Sequence, residues 1–180
     1  LDYSLVTPEH QMVKGSFAGS DWDQNEYDIY VQRSRKKLAL MNRKPVKVET
    51  GEYRTWFESA AVADFLGMFS WNGISEASLR QGCSGFGRMR HDDVRLSPKF
   101  SVVEDFSPGF CPQFNSNGEV APEQLTLIEN GVLKNTLVSS RSAKEYGVES
   151  NFAEGGEYMR SPKMSSGSLN QKDVVGQLGK

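Results

Sequence analysis

The side chains in this 180-residue chain able to ligate a transition metal through imidazole or thiolate are His10, His91, Cys83 and Cys111. Zinc sites draw such donors from short, clustered spacings. Neither Cys-x-x-Cys nor His-x-x-x-His occurs, and no histidine lies between His10 and His91. His91-Asp92-Asp93 sets an imidazole beside two carboxylates, but within a charged stretch that reads as a solvated loop. Cys83 would need a neighbouring base to act as a nucleophile, and it reads instead as a structural, at least partly buried cysteine. Glu104 and Asp105 are adjacent, so on a strand they face opposite sides; they read as a strand-end turn rather than as an acid–base pair. Gly82-x-x-Gly85-x-Gly87 lacks the Lys-Ser/Thr of a phosphate loop and reads as a sharp turn. Arg141 starts a short helix, where a guanidinium and helix N–H groups can hold a carboxylate or peptide terminus; a structural ion pair is the competing reading. Asn151, in a glycine-rich segment, is suited to capping or to binding backbone.

The elements that position these residues follow from periodicity. Leu1 to Gly19 has no clean period and is expected to wrap the surface or supply one strand. Apolar residues recur at Tyr27, Tyr30, Val31, Leu38 and Met41, with Ser34 on the same stripe. That is a helix starting near Ser20–Asp23 and ending before Pro45. Alternation through Val46, Val48, Tyr53, Thr55 and Phe57 predicts two short strands or one bent strand. Val62, Phe65, Leu66 and Phe69 predict a second helix with that stripe in the core, stopped by Asn72-Gly73. A shorter helix, Ser75 to Gln81, has Ser75 as N-cap. Phe100–Glu104 reads as a strand and Ser107–Gly118 as a loop. Asn130-Gly131 predicts a type I′ hairpin turn between Gln124–Glu129 and Val132–Ser139, with Ile128 facing Leu133 and Gln124 facing Leu137. Leu125 and Leu127 then fall on the opposite face, so both faces of the sheet are expected to be partly covered. Ser140–Tyr146 is a helix stopped by Gly147, Asn151–Gly167 is irregular, and Ser168–Leu178 is a helix before Gly179. This order is no βαβ alternation; it predicts an α+β fold, a largely antiparallel sheet with packed helices.

With 37% hydrophobic and 24% charged residues, residues 1–180 read as one domain or a fragment of one. The net charge of -2 and the short Arg33–Lys37 cluster speak against nucleic-acid binding. No apolar run is long enough to cross a bilayer and no signal peptide is visible. Two cysteines are too few for a disulfide scaffold, so a cytoplasmic, reducing setting is expected.

Gly82-Cys83-Ser84, Ser101-Val102-Val103-Glu104-Asp105, Phe114-Asn115-Ser116-Asn117-Gly118, Leu127–Leu133, Arg141–Gly147 and Asn151, in this order and spacing, resemble the C-terminal half of the TldD/PmbA family of peptide-processing metalloproteases and their metal-free sister subunits. The resemblance implies a His-Glu-x-x-x-His helix shortly before the Gly82 turn. Counting back by the family spacing puts Gly67 and Asn72 at the histidine positions and Met68 at the glutamate, which are degenerate metal positions. It therefore implies a PmbA/TldE-like member, with no catalytic and no metal residue in this chain and zinc only in a TldD-like partner. Arg141 and Asn151 are its candidate peptide-binding residues. The implied partners are a TldD-like protease subunit or a second copy, and an unfolded peptide; no membrane is implied. The family's N-terminal domain and C-terminal end are expected to lie outside this chain. The alternatives are a metallopeptidase with ligands outside it, and a DNA gyrase modulator.

Overall fold

A strand forms where alternate side chains find cover, and the first two elements show it. In the computed structural model, which describes residues 1–178, β1 (Asp2–Val6) and β2 (Met12–Ser16) each alternate exposed and half-buried residues. They pair antiparallel with Tyr3 opposite Gly15. Two strands thus occupy the segment expected to give one at most. Helix α1 (Gln24–Met41) is capped by Asp23, whose carboxylate accepts from the Asn25 and Glu26 N–H groups. Phe17 stacks edge-on with Trp22, Tyr27 and Tyr30, and buried Ser34 hydrogen-bonds the Tyr3 hydroxyl at 2.9 Å. Arg33, Arg35, Lys36 and Lys37 are exposed. These elements belong to the first of two compact units, Leu1–Tyr53; the second is Arg54–Lys180.

The strand expected between Pro45 and Phe57 does not form. Val46 is 85% exposed and Val48 67%, so the alternating residues have no face to bury and no strand beside them to pair with.

In the second unit, α2 (Ser59–Phe69) buries Leu66 against Ile74, Val102, Leu127 and Ile128, with Val62 and Phe69 packed on this core. Phe65 is 44% exposed, which corrects its assignment to the core. It lies about 60° around the helix from Val62, on the opposite side from Leu66, and meets only the rings of Phe57 and Phe69 among the aromatic pairs formed by the described residues. Helix α3 (Glu76–Arg80) is capped by Ser75. Helix α4 (Gly87–His91) follows the Gly82 turn and was not expected.

The larger sheet has the order β5-β4-β3-β6, all antiparallel: β3 (Val102–Asp105), β4 (Gln124–Glu129), β5 (Val132–Leu133) and β6 (Pro162–Met164). The fold is α+β, as expected. Asn130 and Gly131 both have positive φ, 50° and 78°, and Ile128 faces Leu133. The pairing of Gln124 with Leu137 does not occur. After Leu133 the chain leaves the sheet, and Leu137 bonds Ile74 and Glu76 backbone instead. Helix α5 (Ser140–Tyr146) ends in left-handed Gly147. Strand β6 lies in the segment expected to be irregular. The last helix, α6 (Val174–Leu178), is preceded by a 3-10 turn, Gln171–Asp173. It is shorter than expected, and the stop assigned to Gly179 lies outside the described residues. No helix among the described residues is long and apolar enough to cross a membrane.

Candidate functional site

An open cleft of about 1010 Å³ lies in the second unit. Its polar wall begins at the start of α3. Glu76 is 3% exposed, and Arg90 of α4 grips it with two bonds of 3.0 and 2.7 Å. Arg80 Nε adds a bond of 2.7 Å and Thr136 Oγ1 one of 2.6 Å. Burial alone would raise the Glu76 pKa, but the bonds from Arg90, Thr136 and Arg80 outweigh it and hold the carboxyl at about 2. A charge pair of this geometry fixes α3, α4 and the Thr136 segment together as a rigid wall.

Asn151 forms the next part of the cleft. Its Oδ1 accepts from Val138 N–H at 2.9 Å and its Nδ2 donates to Thr136 O at 2.7 Å, so the amide clamps the 136–138 backbone extended along the cleft. Apolar cover comes from Val120 and Phe152, 59% and 39% exposed. Arg141 is not among the residues lining this cleft. It sits with Lys144 and Glu145 on a separate shallow hollow, its side chain 88% exposed and 3.8 Å from Glu145. The two candidate peptide-binding residues are therefore not brought together.

Besides Glu76, three more carboxylates are buried. Glu104 and Asp105, read as a strand-end turn, are the last two residues of β3 and are 3% and 2% exposed. Asp105 pairs with Lys163 at 2.7 Å and accepts from Ser107, which together hold its pKa well below the usual carboxylate range. Glu104 Oε1 accepts from the Arg160 and Ser161 N–H groups; burial outweighs these bonds and raises its pKa. Glu157, 2% exposed at a positive φ of 52°, accepts from Ser75 Oγ, Ala77 N, Ser139 N and Ser139 Oγ. Glu104 and Asp105 find their partners on or beside β6, a strand not expected from the sequence.

The positions expected to be degenerate metal positions lie on an exposed face of α2 and the turn that ends it. Gly67, Met68 and Asn72 are exposed, and a side chain at Gly67 would meet no atom within 4 Å. Space for a ligand is present there and donors are not: a glycine, a thioether and a carboxamide do not fit a zinc site. No cluster of three His, Cys, Asp or Glu residues suited to a metal occurs among the described residues. Cys83 is exposed, which corrects its reading as at least partly buried, and both cysteines are unpaired.

Among solved structures, a proposed modulator of DNA gyrase from Bacteroides thetaiotaomicron aligns over 98% of this chain with a TM-score of 0.72 and 14% identity. TldE from Thermococcus kodakarensis aligns over 85% with a TM-score of 0.58 and 19% identity. A proposed modulator of a DNA gyrase from Thermotoga maritima aligns over 58% with a TM-score of 0.45 and 18% identity. This chain spans 40%, 36% and 25% of those proteins, respectively. No curated protein matches the sequence. The profile of the PmbA/TldA metallopeptidase C-terminal domain matches residues 50–178. With that match over most of its length, the chain belongs to the PmbA/TldD metallopeptidase family.

Proposed function

We propose that this chain is a metal-free, PmbA/TldE-like member of a peptide-processing pair. It holds unfolded peptide for a TldD-like metallopeptidase that carries the zinc, in a reducing, cytoplasmic setting. The observation that carries this reading is the exposure of Gly67 and Met68 on α2 and of Asn72 in the turn after it, the residues that the family spacing sets at its metal positions. Hydrolysis at a metal needs both ligands and a base to take the proton from the bound water, and these three side chains supply neither. The cleft supports a holding role. The rigid Glu76–Arg90 wall, the extended 136–138 segment and exposed Val120 and Phe152 offer polar and apolar contacts along one trough. Elemental analysis of the dialysed protein tests the assignment. Substoichiometric zinc is expected; one tightly held zinc per chain would overturn it.

A further inference from the structure

Glu104 Oε2 is the only buried side-chain nitrogen or oxygen among the described residues that lacks a hydrogen-bond partner. Its sister Oε1 is fully used by the Arg160 and Ser161 N–H groups, at 2.7 and 2.9 Å. Leaving a carboxylate oxygen desolvated and unpaired is costly, so this position is poised for a donor. A hollow of about 10 Å³ lies against Glu104, room for about one water-sized group. Its walls are largely apolar, with Phe106, Leu125, Leu137 and Tyr158 among them. Leu125, Ala121, Pro122 and Asn151 line both this hollow and the large cleft, so the two share a wall.

We propose that this hollow is a subsite of the cleft for a primary ammonium group on an apolar stem, with Glu104 Oε2 as its acceptor. The proposal rests on the reading of the cleft as a peptide-holding trough and names what that trough selects. An ammonium head is water-sized and brings charge-assisted donors, while Leu125 and Pro122, on the wall shared with the cleft, suit the methylenes behind it. Arg160 is the nearby competing cation. It borders the hollow itself, but its guanidinium lies over the Phe106 ring at 4.8 Å and its Nη1 donates to the Pro112 and Phe114 carbonyls, and no bond joins it to Glu104 Oε2. The Asn151 amide is already spent on Val138 and Thr136, which leaves Glu104 to set the specificity. A peptide presents this head in two ways, as a free N-terminus or as a lysine side chain.

The test is a titration of the protein, followed by NMR, with n-butylammonium and with n-butanol as the uncharged isostere. Saturable binding of the amine is expected, with the alcohol weaker by about tenfold or more. Glu104→Gln keeps an oxygen for the Arg160 and Ser161 N–H groups and should lose the preference for the amine; Leu125→Trp, which fills the shared wall, should lose binding altogether. No saturable amine binding, or equal binding by wild type and Glu104→Gln, would overturn the proposal and leave the hollow as a water site. Two further arms, an N-acetylated peptide with one lysine and a lysine-free peptide with a free N-terminus, identify the source. If peptides bind equally with every amine blocked, the subsite falls and the holding role stands; if the amine binds and no peptide does, the holding role falls and the subsite stands.

Discussion

At the scale of single residues, Glu157 shows how one carboxylate organises the second unit. It receives the N-cap hydroxyls of both α3 and α5, from Ser75 and Ser139, together with the Ala77 and Ser139 N–H groups. Burial works against its charge, and the bonds outweigh burial and lower its pKa. Glu157→Ala orphans these donors and is expected to cost roughly 3 kcal/mol, read as a drop in denaturation midpoint. Glu76 and Glu157 both have lowered pKa values, so the unfolded state binds their protons more tightly. Their stabilisation is complete at neutral pH and is lost as pH falls from about 4.3, for Glu76 down to about 2. Raised Glu104 acts with the opposite sign: its contribution weakens as pH rises from the ordinary carboxylate range. In acid titrations of stability, Glu76→Gln should flatten the decline below pH ~4, and an unchanged slope would contradict this. The sequence did not reveal the role of Glu76 or Glu157, because Glu157 finds its partner Ser75 from 82 positions away. Asn130-Gly131 was legible because its chemistry is local. A Cβ at Gly131 would also lie 2.2 Å from the Leu96 carbonyl oxygen, so Gly131→Val should cost about 2 kcal/mol or more, checked by denaturant unfolding.

At the scale of elements, long amphipathic runs and capped helices were readable. Helices α1, α2, α3 and α5 match their expected spans closely, because the apolar period of α2 and the Asp or Ser caps of α1, α3 and α5 are written in neighbouring residues. Strands β3 and β4 were readable too, but strands whose existence rests on a distant neighbour were not. β6 has three residues and exists only because β3 lies beside it, whereas the well-alternating Pro45–Phe57 segment lacks any such neighbour and stays irregular. Within α2 the apolar spacing placed the helix but not the edge of its buried stripe. Leu66, 3% exposed, should cost roughly 2–5 kcal/mol when replaced by Ala. Phe65→Ala should cost about 1 kcal/mol, since the ring stays half in water. Equal losses in paired thermal melts would show that the stripe is set differently.

At the scale of the whole molecule, the family's C-terminal domain matches residues 50–178, and the second unit carries a cleft built on Glu76, Arg90 and Asn151. The proposed division of labour assigns cleavage to a companion and holding to this chain. The measurement that tests it most directly is cleavage of an unfolded peptide by a TldD-like companion bearing an intact His-Glu-x-x-x-His motif, with and without this protein, read by mass spectrometry. Cleavage should require the companion's zinc, rise when this chain is added, and be absent with this chain alone in zinc. Chelator-sensitive cleavage by this chain alone, tracking it through purification, would contradict the account.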